Sequence, residues 1–514
     1  MTSPANLDRV LTHLGYAVKK GYLTAEQRQQ LTSELTVTPR VAGGGGRFGA
    51  GKATPFTVFL ESPTRYYIPR GWASSCAWLG EAEASILQEG APLRRELAFV
   101  GKPYDYQRDI VEKCFKAGCQ GLLSVPCGRG KTFMAIAIAM RLGRRFLVVV
   151  DKEFLLQQWS GELKALVPGI RIGILQGPLC QTDIDKYDVT IAMLQTLVQR
   201  DFPQTIFPTY GLTIFDECHH LGAAHFSRAL LKCQTKHMIG LSATPTRDDG
   251  LTKVFEWFLG QAFHWERIRK ADPGVRVERM DFMSEDPVYR VEPTDYRGEI
   301  VTARLLTQVV EFAPRNEKIL ARLLELLGEE KRKILILSER RGHLRWFEEA
   351  LLREGVKGEE IAYYVGGMKE GPREEGAKRA RVLLASYQMA SEAMNIKTLN
   401  TMIMASPRKK IEQSTGRILR TRAEDRDVDP LIVDVVDVHD CYRRRWSKRR
   451  AYYVKCAYTI EGDAGGDAGG DAGGAAADED DEESEEEEAT VAVAARPRKS
   501  KKAKESEAVC MIQD

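Results

Sequence analysis

The chain has 514 residues, 43% of them hydrophobic and 29% charged, which is apolar material for about three folded units at roughly 150 residues each. The net charge of +3 hides a division: from Glu461 onward there are 17 acidic and 6 basic side chains, and the rest of the chain carries 69 basic against 55 acidic. A basic body with an acidic tail points to a polyanionic partner, nucleic acid above all, and against a membrane span, since no apolar run approaches about 18 residues.

In chain order, residues 1–95 read as a small N-terminal α+β module with a glycine-rich loop, Gly43 to Gly51, and short strands at Phe56 to Leu60 and Tyr66 to Ile68. Met1 to Arg9 is polar and lacks the apolar stretch of a secretory signal, so an intracellular protein is expected. Tyr66, Tyr67, Arg70 and Trp72 offer a candidate grip on a nucleic-acid strand, weighed against the ordinary reading of aromatics as core. The ten cysteines include no C-x-x-C pair, and Cys114 and Cys119 are the nearest two, which fits reduced, buried thiols rather than a metal site.

Residues 96–275 alternate apolar strands with helical stretches. The strands are expected at Leu122 to Val125, Arg145 to Val150, Arg171 to Leu175, Val189 to Met193, Leu212 to Phe215 and Met238 to Leu241. A polar stretch around Asp286 to Gly298 marks a linker over 276–310. The alternation then resumes over 311–460, with strands at Lys333 to Leu337, Ala362 to Val365, Arg381 to Ala385, Thr401 to Ala405 and Pro430 to Val436. Continuous Val/Ile/Leu runs separated by helices indicate parallel sheets covered on both faces, and two series indicate two α/β domains. From 461 to 514 the repeat GDAGGDAGGDAGG, the acidic run Asp478 to Glu488 and the basic cluster Arg496 to Lys504 offer nothing to bury, so a disordered tail is expected. The basic cluster reads as a nuclear import signal, a nucleic-acid arm or a solubilising end.

Two motifs carry chemistry. The strand at Leu122 leads into Pro126-Cys127-Gly128-Arg129-Gly130-Lys131-Thr132 and then an apolar helix. Gly128 and Gly130 let backbone N–H groups curl around phosphate oxygens, Lys131 contacts the β/γ-phosphates and Thr132 ligands Mg2+. Val125 stands where the full phosphate-loop pattern has its first glycine. The strand Leu212 to Phe215 ends in Asp216-Glu217-Cys218-His219, which suits Asp216 to the metal and Glu217 to polarising the attacking water.

These residues resemble superfamily 2 helicases, with motifs over roughly Tyr104 to Val438. The resemblance is to the group of xeroderma pigmentosum B-type, phage UvsW and poxvirus transcript-release helicases, and particularly to helicases of large DNA viruses. It implies two tandem RecA-like domains, ATP and Mg2+ as cofactors, and a DNA helicase or double-strand DNA translocase acting in transcription or repair. An RNA helicase, or a non-enzymatic nucleic-acid-binding subunit, is the alternative. By that resemblance Gln107 reads the adenine, Ser242 and Thr244 with His219 couple hydrolysis to movement, and Lys152, Gln195 and Thr196 touch the nucleic-acid backbone. Arg247-Asp248-Asp249 is similar to the Arg-Glu-Asp element of B-type helicases, with Asp for Glu. In the second domain Ser338, Arg340 and Ser391 fall in backbone-contacting motifs, with Ala393 where the family has glycine. Gln413, Gly416, Arg417 and Arg420 match a complete Q-x-x-G-R-x-x-R motif, which implies that Arg417 and Arg420 reach the γ-phosphate from the other domain. The same likeness places the protein in the nucleus, a viral factory or a virion, with transcription or repair machinery as partners.

Overall fold

The computed structural model describes residues 6–39, 54–126, 128–203, 205–218, 224–243, 251–266, 271–368, 370–392, 394, 396, 398–409, 411, 415 and 426–461. Its described residues divide into two compact units, one over 1–124 and 132–265, the other over 125–131 and 266–461.

The first unit opens with a small α+β module: β1 (Arg9–Thr12), β2 (Gly15–Lys19), α1 (Ala25–Glu34), β3 (Thr36–Val37), β4 (Phe56–Thr57), β5 (Leu60–Glu61), β6 (Arg65–Ile68), α2 (Arg70–Ser75) and β7 (Ala84–Ser85). Its main sheet runs β5-β6-β2-β1-β7, and β3 pairs separately with β4. The single strand expected over Phe56 to Leu60 is therefore two. Val58, fully buried, lies between them, and each half pairs with a different partner. Helix α1 starts where Thr24 and Gln27 satisfy each other's backbone N–H groups, a reciprocal cap.

Arg70 and Trp72 are anchors of this module rather than an exposed grip. The half-buried Arg70 guanidinium donates to Thr235 O at 2.7 Å and Lys236 O at 3.3 Å. Trp72 is 2% exposed and lies in one hydrophobic cluster with Phe255 and Phe258. Gly71 allows the close approach, since a Cβ there would stand 2.6 Å from Trp257 O.

The α/β part of this unit comprises α3 (Asp105–Lys116), β8 (Gln120–Ser124), α4 (Lys131–Leu142), β9 (Phe146–Val150), α5 (Glu153–Leu166), β10 (Ile172–Gln176), β11 (Leu179–Cys180), β12 (Val189–Met193), α6 (Leu194–Gln199), β13 (Leu212–Phe215), α7 (Ala224–Lys232), β14 (His237–Ser242), α8 (Thr252–Leu259) and β15 (Ala262–Trp265). The strand order is β11-β10-β12-β9-β13-β14-β8-β15. Every pairing is parallel except β10 with β11. All residues of β9, β12 and β13 are buried, as expected of strands covered on both faces.

The second unit contains β16 (Arg276–Phe282), α9 (Pro287–Arg290), α10 (Thr302–Glu311), α11 (Ala313–Leu327), β17 (Ile334–Ser338), α12 (Arg341–Arg353), β18 (Ile361–Tyr364), α13 (Glu370–Arg379), β19 (Val382–Ser386), α14 (Tyr387–Glu392), β20 (Thr401–Met404), β21 (Leu431–Asp437), α15 (Asp440–Lys455) and β22 (Thr459–Glu461). Its sheet runs β18-β19-β17-β20-β21-β16-β22, with every pairing parallel. The segment 276–310, expected as a linker, supplies β16 and α10. Over its whole length β16 pairs with β21, and Val277, Met280 and Phe282 are buried.

Two buried ion pairs fix helices to β21. Arg315 on α11 meets Asp437 at 2.6 and 2.9 Å, and Arg449 on α15 meets Asp434 at 2.8 and 2.7 Å. The expected tail, 462–514, and the glycine-rich loop of the module lie outside the described residues. Among the described residues no helix is long and apolar enough to cross a membrane.

Candidate active site

In a parallel sheet the strands deliver their following loops to one edge, where ligands of open α/β sheets bind. Here β13, β14 and β8 are adjacent, with Phe215 opposite Gly240 and Ser242 opposite Ser124. The chain after β8 is the glycine turn, the chain after β13 is Asp216-Glu217, and β14 ends on Ser242.

Gly128 and Gly130 both have φ of +81°, a region L side chains rarely adopt, so this turn requires glycine at both positions. Helix α4 begins at Lys131, with Thr132 in its first turn. The first N–H groups of such a helix have no intrahelical acceptor and favour an anion. Arg129 in the same turn pairs with Glu266 at 3.2 Å.

Asp216 continues the β13 ladder by donating its N–H to Val149 O at 3.0 Å. Its carboxylate is held from two sides: Glu217 N–H donates to Oδ1 at 3.0 Å and Trp159 Nε1–H donates to Oδ2 at 2.8 Å. Trp159 is fully buried on α5. Its bond to Asp216 joins residues 57 positions apart, and no local pattern announces it. Glu217 has φ of +42°, one of three non-glycine positive values among the described residues. Backbone strain of this kind gathers at functional sites.

Gln107 is buried, and its Oε1 accepts from Tyr104 N–H at 3.0 Å, capping α3. Ser242 is 1% exposed at the end of its strand.

Among the residues expected at the nucleic-acid backbone, Lys152 is the partly exposed N-cap of α5. Gln195 Nε2 donates to Asp151 O at 2.7 Å, and the buried Thr196 hydroxyl accepts from Gly177 N–H at 2.9 Å, so both shape the loops beside it. Ser338 is fully buried, bonded to His343 Nδ1 at 3.0 Å and accepting from Arg340 N–H at 3.1 Å. Its hydroxyl is thus turned inward, whereas the sequence placed it at the nucleic-acid backbone. His343 continues the chain to Asn316 Oδ1 at 2.9 Å. Desolvation, with the nearby Arg315 charge second, holds this imidazole well below its ordinary pKa and so neutral. Arg340 reaches Thr307 Oγ1 and Ala303 O at 3.3 Å each, on α10. Ser391 lies on α14. His219, Thr244, Gln413, Arg417 and Arg420 lie outside the described residues.

Comparison with known proteins fits this geometry. Residues 101–247 match the family described as type III restriction enzyme, res subunit, and residues 316–423 match the helicase conserved C-terminal domain. A protein of Acanthamoeba polyphaga mimivirus, named as an ATP-dependent RNA helicase, is 30% identical over 464 residues, covering 89% of this chain and 87% of its own. An African swine fever virus protein, also named as an ATP-dependent RNA helicase, is 28% identical, covering 70% of this chain and 74% of its own. A helicase of Escherichia phage T5 is 26% identical over 63% of this chain and 70% of its own. The solved structure of T4 UvsW covers 85% of this chain and 95% of its own at 17% identity and a TM-score of 0.34. By the two family matches and the mimivirus relative, the chain belongs to the superfamily 2 helicases of large DNA viruses, nucleic-acid-dependent ATPases with tandem RecA-like domains.

Proposed function

We propose that this helicase hydrolyses ATP at the shared edge of β8, β13 and β14 and uses the cycle to move along DNA. The observation that carries this reading is the delivery of Lys131, Thr132, Asp216 and Glu217 to one edge of one parallel sheet. Lys131 and the N–H groups of the glycine turn hold the phosphates. Glu217 polarises the attacking water. The donor set, an Asp216 carboxylate held by two N–H groups and the Thr132 hydroxyl, consists of hard oxygens that suit Mg2+. Mg2+, when bound, neutralises charge on the phosphate oxygens.

The Q-x-x-G-R-x-x-R spelling of Gln413, Arg417 and Arg420 supports a role for the two guanidiniums at the γ-phosphate during hydrolysis. Such guanidiniums gain a charge-assisted contact only while the γ-phosphate is present, which ties them to hydrolysis rather than to binding of the base. Coupling runs through Ser242, Thr244 and His219, and Gln107 lies at the adenine. Lys152, Gln195, Thr196, Arg340 and Ser391 line or shape the track, with Ser338 acting through Arg340. DNA as the track, in transcription or repair, is supported by the Arg247-Asp248-Asp249 element. An RNA track is the second reading, favoured by the names of the mimivirus and swine fever virus proteins.

Stimulation of ATP turnover by duplex DNA, single-stranded DNA and RNA of equal length tests this. Duplex or single-stranded DNA is expected to stimulate most; stimulation by RNA alone overturns the DNA reading.

A further inference from the structure

The indole of Trp159 does more than fill the core. Its Nε1–H lies 2.8 Å from Asp216 Oδ2, a charge-assisted distance, while Oδ1 takes the N–H of Glu217 at 3.0 Å. Tryptophan is a donor only, so the direction of this bond is unambiguous. A carboxylate has about four lone-pair sites. One on each oxygen is used by these two donors, which fixes the plane of the group and the direction of the rest. The indole cannot move aside, because it is fully buried within a fourteen-residue helix packed against β9 and β12. A buried Trp N–H usually finds an acceptor. This one instead takes the carboxylate at the end of β13.

We propose that Trp159 is a positioning residue for the divalent-metal carboxylate: its N–H holds Asp216 in the orientation that receives Mg2+ together with ATP. This rests on the reading of Asp216 as the metal-holding group. Loss of an outer partner of a metal ligand typically costs about 10- to 100-fold in metal affinity or activity.

The test replaces the N–H and keeps the shape. Trp159→Phe removes the donor. Site-specific incorporation of 3-benzothienylalanine at 159 puts sulfur in place of N–H at nearly the same volume and serves if the phenylalanine variant folds poorly. Binding of Mn2+, followed by electron paramagnetic resonance in the presence of a non-hydrolysable ATP analogue, reports the site without turnover. Either replacement is expected to weaken Mn2+ by about tenfold or more. The Mg2+ concentration at half-maximal ATPase rate should rise in parallel, with metal-free binding of the analogue little changed. Mn2+ affinity within twofold of the parent protein, in a variant of native thermal stability, makes Trp159 a core residue only and overturns the proposal. Equal losses of nucleotide binding with and without metal overturn it too, by showing a general disturbance of the pocket. Asp216→Asn serves as the separate arm. If it binds Mn2+ as well as the parent does, the metal reading of Asp216 fails and this proposal falls with it. If Asp216→Asn loses the ion and the Trp159 replacements do not, only the role of Trp159 is refuted.

Discussion

Glu217 combines a strained backbone with the chemistry expected of it. Its φ of +42° follows directly on the β13 ladder, and its N–H is bound to the neighbouring Asp216 carboxylate. Glu217→Gln keeps shape and backbone but removes the negative charge. Turnover is expected to fall about 100-fold or more, with ATP and nucleic-acid binding retained in equilibrium titrations. A rate within a few-fold of the parent would remove this carboxylate from the mechanism. Lys131 and Thr132 were legible because G-K-T after a strand and before a helix is a local pattern. Trp159 was not, because its partner is reached only when α5 and β13 pack together.

A second residue-scale prediction concerns folding. Burial pushes the Asp188 carboxyl up, but hydrogen bonds from Arg94 and Arg171 outweigh this and hold it at about 2. The unfolded group ionises at about 3.9. The stabilisation is therefore fully present above about pH 4 and is lost as pH falls through the folded value. Asp188→Asn should cost about 2–3 kcal/mol at pH 7 and little at pH 2 by denaturant titration. A pH-independent difference would contradict this.

At the scale of elements, the strands of the two sheets that are continuous Val/Ile/Leu runs could be read directly, from Phe146–Val150 to Leu431–Asp437. Strand β16 could not. Its sequence RVERMDF carries four charged residues and follows no buried-strand pattern, because it lies near the sheet's end between β21 and the three-residue β22. The site in the second domain was legible only as motif spelling, since no local pattern shows that Ser338 turns inward to His343. Helix α15 was equally hidden, because its run of arginines suggests a solvated face while Arg449 is 2% exposed. Arg449 binds Asp434 with two hydrogen bonds, and Tyr453 adds a third at 2.8 Å. Breaking a buried pair strands a charge, whereas removing both partners often costs little. Arg449→Met is expected to destabilise by about 3–5 kcal/mol, and adding Asp434→Leu should recover much of that. A double variant as unstable as the sum of the single ones would show that the pair is not the cause.

For the whole molecule, the excess of basic side chains before Glu461 leads to the expectation that phosphate contacts dominate affinity. Log affinity for duplex should fall linearly with log salt, with a slope of about −0.9 for each phosphate neutralised, and with little dependence on sequence. A flat salt response or strong sequence preference would contradict a track read through its backbone.

The central claim is that ATP turnover is controlled by a bound strand and depends on the arginines of the Q-x-x-G-R-x-x-R motif. Nucleic-acid-stimulated ATP turnover of Arg420→Ala, measured beside ATP binding by the same protein, tests it most directly. Turnover is predicted to drop about a thousandfold, with ATP affinity changed only a few-fold. Near-normal stimulated turnover would contradict the account, as would a loss of rate that is wholly a loss of ATP binding.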